Sequence, residues 1–154
     1  GVQTCALPIS TKLSDKEKAA LKAKKRKDIR ALEKSMKAHG VPRVKHNNCD
    51  LHHIVPNDAH GDEFDEARDL MDKCGIDLNN YRNGVYVPGY RSDQGNCQGG
   101  YNHKSLHTKK YAKKLLKELK KGYGNGDGDC DGLEKALQEF KETLQNGSGD
   151  FPTD

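Results

Sequence analysis

The sequence predicts an α+β fold in which two short strands and a helix form a ββα unit, with further helices on either side. Two apolar runs, CDLHHIVP from residue 49 and VYVP from residue 85, end at proline and are typical of short strands. A lysine-rich segment with apolar residues at helical spacing, residues 102–121, indicates the helix of the unit. The 154 residues suffice for one domain, but equal hydrophobic and charged shares of 32% leave material for only a small core.

The N-terminal part of the chain is expected to form a basic helix, residues 11–45. Ser14 and Glu17 have the spacing of a capping box, and Gly40 with Pro42 ends the helix after His39. Residues 12–46 hold 13 Lys and Arg against 4 Asp and Glu, a net charge of +9, while the rest of the chain carries −5. Such an arm suits a polyanion, nucleic acid first, and a solvated helix face is the simpler alternative.

The first ten residues, GVQTCALPIS, closely resemble the translated adaptor of a sequencing library. We therefore expect residues 1–10 to be a non-native tail and the natural protein to continue upstream, with a genuine N-terminal extension as the alternative. No apolar run approaches the roughly 20 residues that span a bilayer, so no membrane partner is expected.

A second helix is predicted between the strands, from Glu63 to about Lys73, and a last helix over residues 133–144. Residues 122–154 are expected to be an acidic loop, this C-terminal helix and a loose tail. In the loop, DGDCDG has the pattern of a calcium site, although Gln138 stands where a full loop has its bidentate Glu. The alternative is a flexible linker whose Asp131 caps the helix. The candidate ligands for a structural Ca²⁺ are Asp127, Asp129 and Asp131.

Five cysteines occur in the sequence, and none of them forms a C-x-x-C pair that would indicate a structural zinc site. Two disulfides could form without Cys5, but the sequence does not assign partners. Reduced thiols are the expectation.

Four histidines are candidates for a common site. His52 and His53 are adjacent on a strand and must point to opposite faces, while His103 and His107 lie four apart on one face of the predicted helix. A ββα unit can pool one strand histidine with the helical pair around a divalent ion and leave the other to accept a proton from water. This assembly suits phosphodiester hydrolysis. Taken alone, the helical pair would more often be an exposed coincidence.

Three stretches, DLHHIVP, ARDLMDKCGIDLNNYRNGVYVP and HKSLHTKKY, together resemble the AHH nucleases of the HNH/endonuclease VII superfamily over about residues 49–121. Leu51 stands where the alanine of the family motif usually lies. The resemblance implies a ββα-metal (HNH-like) core, residues 46–121, and a metal-dependent endonuclease of DNA or RNA. Members are often toxin domains of bacterial polymorphic secretion systems, which implies an effector acting in a target-cell cytoplasm and a cognate immunity protein.

The resemblance also implies roles by position. His53 would be the general base, and Asn83 would orient that histidine or brace the loop through hydrogen bonds. One Mg²⁺, Mn²⁺, Ni²⁺ or Zn²⁺ ion would be held by His52, His103 and His107. The reverse assignment of His52 and His53 stays open. A ligand histidine needs a second-nitrogen partner, for which Asp50 and Asp93 are candidates on proximity.

Four basic side chains are candidate contacts to the phosphate backbone, with simple exposure as the alternative for each: Arg82, Arg91, Lys109 and Lys110. Two rival functions remain at this point. One is a non-catalytic nucleic-acid-binding fragment, and the other is a Ca²⁺-binding interaction module.

Overall fold

A computed structural model describes residues 12–43, 49–89 and 103–147. Within these ranges the predicted α+β fold, a ββα core with flanking helices, is confirmed. No helix in this part of the chain combines the length and the apolar character that a membrane span requires. The elements are α1 (Asp15–Ala38), β1 (Cys49–His53), α2 (Asp62–Lys73), β2 (Gly84–Pro88), α3 (Lys109–Gly122) and α4 (Cys130–Asn146), with 3-10 turns at Tyr81–Asn83 and His103–His107. The predicted tail, residues 1–10, lies outside the described residues.

The two strands pair antiparallel, and the register places His52 opposite Val85 and His53 opposite Gly84. Val85 and Val87 are fully buried and belong to a core that also contains apolar side chains of α2, α3 and α4. The histidine pair is therefore fixed at the end of β1, on a ribbon that the core supports from one side.

Helix α1 begins at the predicted capping box, in which the Ser14 hydroxyl accepts from the Glu17 N–H and the Glu17 carboxylate accepts from the Ser14 N–H. Its buried side chains are Leu32 and Met36. Both lie against Gly84, where an added Cβ would come within 2.4 Å of the Met36 sulfur. The missing side chain of Gly84 thus lets the C-terminal half of α1 pack beside the end of β1, while residues 12–27 are exposed.

The helix predicted from residue 102 begins later than expected. The Thr108 hydroxyl accepts from the Tyr111 N–H at 3.2 Å, so Thr108 is the N-cap of α3. His103 and His107 consequently lie in a 3-10 turn before α3, not on an α-helical face. The prediction that they share the face of one α-helix is wrong.

The acidic loop before α4 does not have the arrangement of the predicted calcium site. Asp129 Oδ1 accepts from the Gly132 N–H at 2.8 Å and caps α4, and Asp131 lies in the first helical turn. Among the described residues, the group of His, Cys, Asp or Glu side chains close enough to share an ion contains none of Asp127, Asp129 and Asp131. We therefore correct the calcium prediction, and the capping residue is Asp129 rather than Asp131.

The expectation of reduced thiols is also wrong. Cys74, at the end of α2, and Cys130, at the start of α4, form a disulfide with a Cα–Cα distance of 5.4 Å. Cys49 is disulfide-bonded as well. The sequence could not assign the partners because the Cys74–Cys130 pair is brought together across 56 residues by the packing of helices.

Replacing Cys74 and Cys130 by serine is expected to lower the free energy of unfolding by about 2–5 kcal/mol, because the bridge closes a long loop in the unfolded chain. Urea unfolding measured by circular dichroism checks this. Dithiothreitol should lower the urea midpoint of unfolding more in the wild type than in the double variant, because the double variant has already lost the Cys74–Cys130 disulfide. Equal stability of the variant and the oxidised wild type would contradict the assignment.

Candidate active site

Three histidine side chains from two distant segments converge beside the strands. The ligand nitrogens of His52, His103 and His107 all lie within 4.8 Å of one another. The Nε2 atoms of His103 and His107 are 3.0 Å apart. Two nitrogen ligands of one tetrahedral zinc ion, at about 2.0–2.1 Å from it, are separated by about 3.3–3.4 Å, close to the spacing of this pair. The geometry thus fits a shared divalent ion, and the strand histidine grouped with the pair is His52, not His53.

A carboxylate fixes the orientation of His103. The His103 Nδ1 lies 3.0 Å from Asp50 Oδ2, two residues before His52 on β1. Because a carboxylate accepts hydrogen bonds, the Nδ1 carries the proton and the Nε2 carries the lone pair. Asp50 was one of two candidates for this contact, and the other, Asp93, lies outside the described residues.

A tyrosine fixes His52 in a similar way. The Tyr111 hydroxyl donates to the Ile54 carbonyl at 2.7 Å, so its oxygen accepts from the His52 Nε2–H at 3.1 Å. The lone pair of His52 therefore resides on Nδ1. Tyr111 is itself buried, with its ring against Phe64 and Phe140.

Burial favours the neutral form of these imidazoles. Desolvation, followed by the neighbouring His103 and His107, lowers the pKa of His52 well below its ordinary value. Burial, followed by His103, also lowers the pKa of His107. Neutral imidazole is the form that binds a metal, so the lowered pKa values of His52 and His107 favour the form in which either side chain could bind one.

His53 has a separate environment. Its Nε2 lies 2.8 Å from Asn79 Oδ1. Burial lowers the pKa of His53, and the Asn79 hydrogen bond partly offsets this shift. His52 and His53 both line a cleft of about 220 Å³ together with His103 and His107. All four predicted histidines therefore meet at one opening.

The model of a nuclease family, described as belonging to the HNH/ENDO VII superfamily with conserved AHH, matches residues 32–146. The chain belongs to the AHH nuclease family. The resemblance stated from the sequence is therefore confirmed, and nucleic acid is the substrate class. The searches of curated proteins and of solved structures returned no significant match.

In this AHH nuclease, Asn83 braces the backbone and does not reach the cleft. Its side chain is fully buried, accepts from the Val55 N–H at 2.8 Å, and donates to the carbonyls of Val55 at 3.0 Å and Leu78 at 2.8 Å. Of the two roles predicted for Asn83, the geometry favours bracing the loop. Asn83 is accordingly a positioning residue rather than a catalytic one.

Of the basic residues predicted to contact substrate, the three that the structure describes do not line the cleft. The guanidinium carbon of Arg82 lies 4.7 Å from the centroid of the Tyr81 ring. Its Nη2 lies 3.8 Å from Glu134 Oε2 on α4. Lys109 and Lys110 are exposed directly after His107, at the start of α3. Arg91 lies outside the described residues.

Within the described ranges, the lysine that lines the cleft is Lys25 of α1, paired with Asp58 at 2.7 Å. Sequence reasoning missed it, together with Asn79, the partner of His53. Lys25 is one of many lysines in the basic arm, and Asn79 lies 26 residues from its partner. The charge of the arm was the available signal for Lys25, but nothing in the sequence singled out either residue.

Replacing Asn83 by alanine is expected to lower the free energy of unfolding by about 2–5 kcal/mol, because three backbone groups, two of them at buried Val55, would lose their partner. Asn80→Ala is the matched control. Its side chain makes one bond, to the Arg82 N–H at 3.0 Å, and its loss should cost about 1 kcal/mol. Thermal and urea unfolding measure both effects. A folded Asn83→Ala protein of wild-type stability that had lost nuclease activity would instead indicate a direct catalytic role.

Proposed function

We propose that this AHH nuclease is a divalent-metal-dependent endonuclease that hydrolyses phosphodiester bonds of DNA or RNA, with His53 as its general base. The observation that carries the proposal is the meeting of three imidazole groups and a fourth, separately held histidine in one cleft. A non-catalytic binding fragment would have no need for this convergence.

The proposed metal ligands are His52, His103 and His107. When bound, the ion would neutralise charge on the substrate phosphate and stabilise the leaving oxygen. Imidazole nitrogen suits Zn²⁺ and Ni²⁺, whereas Mg²⁺ prefers oxygen ligands. Among the candidate ions, the donor set therefore favours Ni²⁺ or Zn²⁺ most and Mg²⁺ least.

The proposed role of His53 follows from its hydrogen bond. Donation of the Nε2–H to Asn79 Oδ1 leaves the lone pair on Nδ1. This nitrogen would accept a proton from a water molecule as that water attacks phosphorus. The lowered pKa of His53 supports the role, because burial keeps the imidazole neutral and able to accept the proton.

Substrate contact is proposed for Lys25, Lys109, Lys110 and the exposed half of α1. The last of these, residues 12–27, carries lysine and arginine on a helix that leads directly to the cleft. Contacts of this kind go to backbone phosphates, so binding would be independent of sequence and would weaken with salt.

The biological setting is proposed from the family resemblance. The chain would be the toxin domain of a bacterial secreted or delivered effector, active in the cytoplasm of a target cell. A producer cell would then need an immunity protein, and acidic surface on that partner would complement the lysines beside the cleft. Growth arrest on expression in bacteria, relieved by a neighbouring gene product, is the test of this role.

Purified wild-type protein is expected to cleave plasmid DNA or total RNA in the presence of Mn²⁺, Ni²⁺ or Zn²⁺. EDTA should abolish this cleavage. His53→Ala should lower the rate by about 100- to 10,000-fold, because a positioned base contributes that much. His107→Ala should lower metal affinity and activity together. His60→Ala, at an exposed histidine outside the cleft, is the control and should keep wild-type activity.

Cleavage that persists in EDTA, or in both His53→Ala and His107→Ala, would exclude this mechanism. A wild-type protein inert with every metal but able to bind nucleic acid would favour the non-catalytic alternative.

Asp50→Asn is expected to weaken Zn²⁺ binding by about 10- to 100-fold, because the carboxylate that holds His103 Nδ1–H raises the basicity of the ligand nitrogen. Isothermal titration calorimetry measures the effect. Asp69→Asn is the matched control, an exposed aspartate of α2 that is not part of the cleft, and should leave the affinity unchanged. Equal affinity of Asp50→Asn and wild type would argue against the proposed ligand set.

A further inference from the structure

Helix α1 contributes a partly buried carboxylate close to the proposed base. Asp28 is 19% exposed and lies on the part of α1 that precedes the family match, which starts at residue 32. Asn57 Nδ2 donates to Asp28 Oδ2 at 2.6 Å, and Asn79 Nδ2 donates to Asp28 Oδ1 at 3.4 Å. Lys24 Nζ, one helical turn earlier, lies 3.5 Å from Asp28 Oδ2. The carboxylate therefore binds two asparagine amides that come from different loops.

The chemistry of these groups fixes a direction for the hydrogen bonds. A carboxylate has no proton to donate, so both amides must present their NH₂ groups to Asp28. With its Nδ2 turned toward Asp28, Asn79 presents Oδ1 to His53. An amide oxygen also accepts, so the proton of neutral His53 must reside on Nε2. The lone pair is then on Nδ1.

We propose that Asp28 is a positioning residue that sets the tautomer and orientation of His53 through the amide of Asn79. The hydrogen-bonded chain Asp28, Asn79, His53 joins α1, the loop before β2, and the end of β1. Its consequence for catalysis rests on the proposed role of His53, whereas the tautomer itself is a property of the folded chain. A carboxylate that merely anchored α1 would not need to determine which imidazole nitrogen carries the proton.

The wild-type tautomer is the first measurement. Long-range ¹H–¹⁵N correlation spectra of the full chain, without metal and with Zn²⁺, distinguish Nε2–H from Nδ1–H imidazole at about pH 8, where histidine is neutral. The His53 signals are assigned by their loss in His53→Gln. We expect the Nε2–H form, and an Nδ1–H form in the wild type would overturn the proposal.

Asp28→Asn keeps the shape of the side chain but supplies one donor and one acceptor. The introduced amide would accept from Asn57, the closer partner, and turn its NH₂ group toward Asn79. Asn79 must then rotate and present its own NH₂ group to His53. We expect the His53 signal to change to the Nδ1–H form and kcat to fall by about 10- to 100-fold, part of what a positioned base supplies. KM and Zn²⁺ affinity should change less than about 3-fold, since the substitution alters neither the proposed substrate contacts nor the proposed metal ligands.

The double variant Asp28→Asn/Asn79→Asp tests the direction of the chain. A carboxylate at position 79 accepts both from His53 Nε2–H and from the amide at position 28, so the Nε2–H tautomer and most of kcat should return. Glu33→Gln is the matched control, because Glu33 is a partly buried carboxylate of the same helix that pairs with Arg43 at 3.3 Å. It should leave the tautomer and kcat unchanged.

An unchanged Nε2–H tautomer in Asp28→Asn would overturn the proposal whatever happens to activity. So would a double variant that keeps the altered tautomer. A wild-type protein without nuclease activity would refute the proposed function instead, and the spectra would still decide whether Asp28 controls His53.

Discussion

The hydrogen bonds of Asn83 hold the candidate site in register. The side chain binds both backbone groups of Val55 and the carbonyl of Leu78, and its own carbonyl accepts from the Ile54 N–H at 2.8 Å. These bonds fix the residues after β1 against the start of β2. Successive residues of a strand face opposite sides, so a slip of one residue would exchange the environments of His52 and His53. The register thus decides which imidazole joins the histidine cluster and which meets Asn79.

The polar groups of the site are tied to the hydrophobic core by hydrogen bonds and ring contacts. Tyr111 binds His52 through its hydroxyl and packs its ring between Phe64 of α2 and Phe140 of α4. Burial disfavours the charged imidazole at His52, and each hydrogen-bond partner then selects one tautomer. The lone pairs of His52 and His53 are consequently directed before any ligand arrives. This preorganisation is what a metal centre or a general base requires of its protein.

The parts of the structure that the sequence predicted are those with local signals. Proline-ended apolar runs mark the strands, and Ser14 with Glu17 marks the start of α1. The remaining features depend on contacts between distant residues. Cys74 and Cys130 are 56 residues apart in the sequence, and Asn79 and Asp28 are 51 residues apart. No local periodicity could therefore predict either contact. The family resemblance supplied the proposed roles of the histidines. It did not include Asp28, which lies in the predominantly basic N-terminal arm, where nothing in the sequence distinguishes its carboxylate from the other charged side chains.

The charges around the cleft suit a polyanion despite the carboxylates beside it. Asp28 contacts two asparagine amides and Lys24. Asp58 pairs with Lys25. Burial raises the pKa of Asp58, but the hydrogen bond and the charge of Lys25 outweigh burial, so the net shift of this pKa is downward. Lys25 is 62% exposed, and ion pairs of such exposure contribute little to stability. A substrate phosphate could therefore take the place of Asp58 on Lys25 at small cost. The ion pair with Asp58 thus holds Lys25 at the cleft while leaving its charge available to a phosphate. The same helix, α1, also carries Asp28, the carboxylate that orients Asn79 toward His53.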